Sequence, residues 1–180
     1  MGVIFGALGV LPWLLLRFGY SPSPDPILLH GRLMFFGFLG TFIAGFLMTA
    51  APKMSGTWPA RPWEVLSVCF FLTLQVVMAL AGWGRASVFA MAGAVLFLMF
   101  FLGSRFLGRR QNPPGMFVFV PIGLLSALIG CLGLLGAADW GPAQTLYFKR
   151  LAYDAFVMNL VVGLGGRLIP VLSRVHGALS

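Results

Sequence analysis

Residues 29–57 read LHGRLMFFGFLGTFIAGFLMTAAPKMSGT. The run stays apolar for the roughly 20 residues that a bilayer demands, so it reads as a membrane-crossing helix ending in a Pro-Lys-Met-Ser-Gly loop. At about 100° per residue, His30, Met34, Gly37, Thr41, Gly45 and Met48 share a helix face roughly 80° wide, and Arg32 points about 200° away from His30. That face carries one imidazole, two thioethers and a groove of small residues. The opposite face is Phe, Leu and Ile.

Composition sets the class. Of 180 residues, 59% are hydrophobic and only 9% charged, where a soluble domain carries about 25% charged residues. Mean hydropathy is +0.97. The chain is an integral membrane protein in contact with the lipid bilayer. Lys and Arg number 12 against 4 Asp and Glu, a formal charge of +8. These bases lie scattered through loops and helix ends, with no basic run. They read as topology determinants and headgroup contacts, not as a nucleic-acid surface. Cys69 and Cys131 each sit inside an apolar segment, and no Cys-x-x-Cys occurs. That excludes a c-type haem attachment, a thioredoxin-like site and a zinc ribbon. The start lacks a basic n-region and an Ala-x-Ala site, so the first segment is expected to be retained.

The pattern predicts an all-α polytopic bundle, one transmembrane domain over residues 1–180, with about six spans near 2–20, 27–51, 63–82, 86–107, 116–138 and 145–172. Prolines in SPSPDP (21–26) force a short external turn, and Trp58 and Trp63 bracket the second loop as interface anchors. Glu64 opens the third span, where a helix N-terminus favours a carboxylate. Gln75, midway along it, is expected to hydrogen-bond a neighbouring helix. Gly123, Ser126, Gly130 and Gly133 form a small-residue stripe on the fifth span, suited to close helix packing or to an interface between copies. Six crossings put both termini on one side. Lys53, Arg61, Arg105, Arg109 and Arg110 join them there, which favours cytoplasmic termini.

This topology separates the two histidines. His30 opens the second span and His176 follows the sixth, about 30 Å apart across the bilayer, so they cannot ligate one haem within one chain. The start of the sixth span shares the side of His30, so Arg32, Tyr147, Lys149, Arg150, Tyr153 and Asp154 are expected to gather near His30 and Met34. Two readings stay open. In one, Asp154 pairs with Arg32 or Arg150. In the other, His30, with Met34 or Tyr153, holds a haem or copper while Arg32 and Arg150 face propionates or another anion. On the opposite side Glu64 is expected to pair with Arg167. No Walker motif, His-Glu-x-x-His or nucleophile elbow is present, and no acid–base pair with a defined reaction emerges, so an enzyme is not inferred.

The run HGRLMFFGF (30–38), then IAGFLMTAAPKMSG (43–56), then GGRLIP (165–170), resembles the NnrS family of bacterial membrane proteins. His30, Met34 and the Gly37-Phe38 pair take the family's positions in a His-x-His-Glu-Met-x-x-Gly-Phe pattern. Gly45, Phe46, Thr49, Ala50, Pro52 and Gly56 fit a second motif, and Gly165, Gly166, Arg167, Ile169 and Pro170 a third. Arg32 and Leu33 stand where the family has its second histidine and its glutamate. The resemblance covers the family's N-terminal half. It implies a bacterial inner-membrane protein with haem b, copper or both, a link to nitric oxide stress or haem–copper metabolism, and a homodimer or another membrane subunit as partner. By that resemblance His30 and Met34 are the metal ligands, and Tyr153, Arg32 and Arg150 line the cofactor. The alternative is a cofactor-free small transporter or membrane assembly factor.

Overall fold

A computed structural model describes residues 1–20, 25–136, 140–163 and 165. Among them there are six helices and no strand, so the all-α expectation holds. We label them α1 (Gly2–Arg17), α2 (Pro26–Ser55), α3 (Pro62–Leu80), α4 (Gly84–Leu107), α5 (Gly115–Leu135) and α6, which begins at Pro142 and is followed through residue 163. Helices α2 to α5 are long and apolar enough to cross a membrane. Helix α1, at 16 residues, reaches only about 24 Å, short of the ~30 Å apolar thickness. Helix α6 opens with the polar PAQTLYFKR segment.

Local chemistry explains the ends. Asp25 caps α2 by accepting the Leu28 N–H at 2.8 Å, with Pro26 in the first turn. Glu64 accepts the Arg61 N–H at 2.7 Å and closes a capping box on α3. Helix α2 runs four residues past the expected end at Ala51, taking Pro52 to Ser55 into its last turn.

Two stretches wind wider than an α-helix, and Gly115–Val118 opens α5 as a tighter 3-10 turn. Leu33–Leu39 in α2 and Leu151–Ala155 in α6 wind as π-helix, a wide turn that recurs at functional sites. They touch each other: the Tyr153 ring lies 5.1 Å from Phe35 and 4.7 Å from Phe36, centroid to centroid. Helix α1 lies along the π segment of α2, which also contacts α3; α3 packs on α4, α4 on α5 and α5 on α6. Phe36, Leu47, Met91, Phe101, Leu124 and Phe156 fill the centre. Leu66, Phe70, Phe89, Leu96 and Phe100 are exposed on the outside of α3 and α4. Such an apolar girdle fits lipid and would aggregate in water.

The π segment breaks the single face expected for α2. His30 and Met34 turn to α1, Met48 is buried and Gly45 looks into open space. The expected pairing inside α3 holds, since Gln75 Nε2 donates to Ser87 Oγ of α4 at 3.3 Å. Among the described residues Glu64 has a partner that the sequence reading did not name. Glu64 is buried against Arg105 of α4, with Nη2–Oε2 at 2.6 Å; Arg167 lies outside the described residues. At the same end the Arg110 and Gln111 N–H groups donate to Ser55 O at 2.8 and 3.1 Å, tying the α4–α5 loop to α2. We call this the Glu64 end and the opposite one the His30 end.

Orientation is testable. With the termini cytoplasmic, a Gln111→Cys variant in the exposed α4–α5 loop is expected to react with an impermeant thiol reagent only after the membrane is opened. Labelling of intact spheroplasts would reverse the assignment.

Candidate functional site

The His30 end carries two clusters on opposite faces of α2. In the first, His30 Nδ1 lies 2.7 Å from the Gly9 carbonyl oxygen of α1. A carbonyl only accepts, so in the neutral ring Nδ1 carries the proton and Nε2 keeps its lone pair. The Trp13 ring stands edge-on to the imidazole at 5.6 Å. Met34, one turn on, also meets Gly9: a Cβ there would stand 2.7 Å from Met34 Sδ. With glycine at position 9, the Met34 thioether occupies the space that a Cβ would take. The spacings match, because Gly9 and Trp13 repeat at the interval of His30 and Met34 and both pairs fall on the α1–α2 seam.

The second cluster lies between α2, α4, α5 and α6. A cavity of about 400 Å³ is lined by Arg32, Arg85, Lys149, Thr145 and Tyr153, with Gly84 and aliphatic side chains. The Arg32 guanidinium lies against Gly84, at the first turn of α4, and beside the Tyr153 hydroxyl. Its Nε is buried without a hydrogen-bond partner.

The structure thus brings Arg32, Lys149 and Tyr153 together, but on the other face of α2 from His30 and Met34, around which the sequence reading had gathered them. Arg150 is exposed and does not line the cavity. Asp154 is exposed as well, and the expected ion pair with Arg32 or Arg150 is absent: Arg105–Glu64 is the one salt bridge found among the described residues. The reason is direction: Asp154 follows Tyr153 along α6 and so turns about 100° away from the face that Tyr153 presents to Arg32. His176 lies outside the described residues.

Over residues 1–176 the chain matches the sequence model of the family described as NnrS protein. The chain belongs to the NnrS family. Neither a curated protein nor a solved structure matches it.

In this NnrS chain the HGRLM run divides its labour by helix geometry. His30 and Met34 serve the α1 seam, and Arg32, between them in sequence, serves the cavity. Sequence reasoning missed Gly9, Gly84 and Arg85. The Gly9-x-x-x-Trp13 repeat was a usable signal for the first. Gly84 and Arg85 sit in an ordinary Gly-Trp-Gly-Arg turn, which carries none.

Among the described residues no three His, Cys, Asp or Glu side chains gather to hold a metal ion. A closed structural zinc-type shell is therefore not formed there. The donor set at the α1 seam is one imidazole and one thioether. It fits a soft, low-coordinate ion such as Cu(I), or one axial position of a haem. Two ligands on the same face of one helix cannot lie on opposite sides of one porphyrin, so His30 and Met34 do not fit as its axial pair.

Proposed function

We propose that this NnrS-family protein holds a soft redox metal at His30 in the bacterial inner membrane, with cytoplasmic termini, and serves nitric oxide stress or haem–copper metabolism. The bond from His30 Nδ1 to Gly9 O carries the reading. It fixes the tautomer and aims Nε2, as outer-shell carbonyls do for metal-ligating histidines. His30 would hold a Cu(I) ion with Met34, or a haem b iron alone. When bound, such a metal supplies a coordination position for a small diatomic and a one-electron couple. Trp13 restricts the imidazole's rotation, and His30 and Met34 are half-buried in the seam between α1 and α2.

The test is a His30→Asn variant, whose amide N–H can replace the bond to Gly9 while Nε2 is lost. In preparations from haem- and copper-replete cells, the Soret band or the Cu(I) affinity against a chromophoric chelator is expected to fall at least about tenfold. Met34→Leu is expected to weaken copper and spare haem. Wild-type metal content in the His30→Asn protein would end the proposal. A colourless, copper-free wild-type preparation would favour the cofactor-free transporter or assembly factor.

A further inference from the structure

We infer that the cavity at the His30 end formed by Arg32, Arg85, Lys149, Thr145 and Tyr153 is a seat for a phosphate-type oxyanion at the membrane interface. It is separate from the His30 seam and does not depend on a metal there.

Three observations carry this. First, the cavity collects three cationic side chains, Arg32, Arg85 and Lys149, and no carboxylate among its described lining residues. Like charges gathered in one cavity repel unless an anion lies among them. Second, Arg32 Nε is buried with no acceptor. Buried donors are nearly always satisfied, and an orphan marks strain or an absent ion. Arg32 is not forced there by ion pairing, since the described residues offer it no carboxylate. Third, the guanidinium presses on Gly84, the first residue of the 24-residue α4. The free N–H groups of a helix start carry partial positive charge. A cation held against that end is unfavourable alone and favourable once an anion bridges the two.

The donor set suits an oxyanion: two planar guanidiniums, an ammonium, and two hydroxyls that can turn to donate. Both π segments adjoin it, because Arg32 directly precedes one and Tyr153 lies in the other. Exposed Trp83, Trp140 and Tyr147 surround this end, as at a headgroup level. The anion is therefore a phosphate group, supplied by an anionic phospholipid or by a free phosphate.

The experiment is a thermal-stability titration of the purified full-length chain in neutral detergent. One arm adds phosphatidylglycerol, with phosphatidylcholine as reference. The other adds inorganic phosphate, with chloride at equal ionic strength as reference. Stabilisation by phosphatidylglycerol alone identifies a lipid headgroup, and stabilisation by phosphate as well identifies a free anion. Lys149→Gln and Arg85→Gln are each expected to weaken the response about tenfold or more. Arg110→Gln, an exposed cation at the Glu64 end, is expected to keep it. Arg32→Gln should abolish it; should that variant fail to fold, the exposed Arg85 carries the test. Equal responses in wild type, Lys149→Gln and Arg85→Gln, or no response to either anion in the wild type, would overturn the inference.

Discussion

Replacing Glu64 by alanine, with Arg105 left in place, is expected to destabilise the protein by about 3–5 kcal/mol. The pair is bidentate. Arg105 Nη1 donates to Oε1 at 2.7 Å and Nη2 to Oε2 at 2.6 Å, with the two side chains 3% and 5% exposed. The guanidinium is held in place from other directions: Nη2 reaches Pro59 O at 3.3 Å, Nη1 reaches Ser104 Oγ at 2.9 Å, and the plane lies over the Phe101 ring at 4.2 Å. Removing the carboxylate thus strands a cation that cannot swing out to water. It also frees the Arg61 N–H and loosens the start of α3. Arg105→Met strands the carboxylate instead and is expected to cost a similar amount. Glu64→Ala combined with Arg105→Met removes both charges and should cost clearly less than the two single changes added, a coupling that a double-mutant cycle reads directly. The measurement is equilibrium unfolding in mixed micelles. If Glu64→Ala behaves like a change at exposed Arg110, the pair does not hold this end together.

The second large effect is expected at Gly130. A Cβ at that position would run into the backbone of Ala152, in the π segment of α6. Gly123 and Gly133 line the same crossing, against Asn159, Leu160 and Phe148. A side-chain tip can rotate aside, but a backbone cannot without moving its helix. Gly130→Ala is therefore expected to cost about 1–3 kcal/mol through overpacking, although alanine is the better helix former by up to ~1 kcal/mol. Gly45→Ala is the matched comparison. Nothing lies within 4 Å of a Cβ there, so propensity alone should act and stability should hold or rise. Equal behaviour of the two variants in the same unfolding assay would show that α5 and α6 do not cross at Gly130.

These residues also show what could be read ahead of the structure. Six apolar segments with Pro and Gly between them announce a bundle, because a membrane leaves the backbone few other choices. Glu64 at a helix start and the glycine stripe on α5 are local signals, and both act as expected. The partner of Glu64 was not legible. Arg105 looks no different from Arg109 and Arg110 in FLGSRFLGRR, and only packing buries one and exposes the others. The split of the α2 face was hidden for a similar reason. A π turn is set by what presses on a helix from outside, not by residue type. A wheel drawn at a constant angle carries His30 and Gly45 onto one side and so misplaces one of them.

The aim of the His30 end therefore rests on a count of residues as much as on their identities. A π turn is an α turn with one residue too many. Deleting a single residue between Met34 and Leu39 would let α2 rewind as plain α-helix, turning everything before the cut by roughly 100° relative to everything after it. His30 would leave Gly9 and Arg32 would leave the cavity, while Leu47, Met48 and the rest of the bundle kept their places. One codon, with no ligand or cation altered, separates a chain that presents both clusters from one that presents neither.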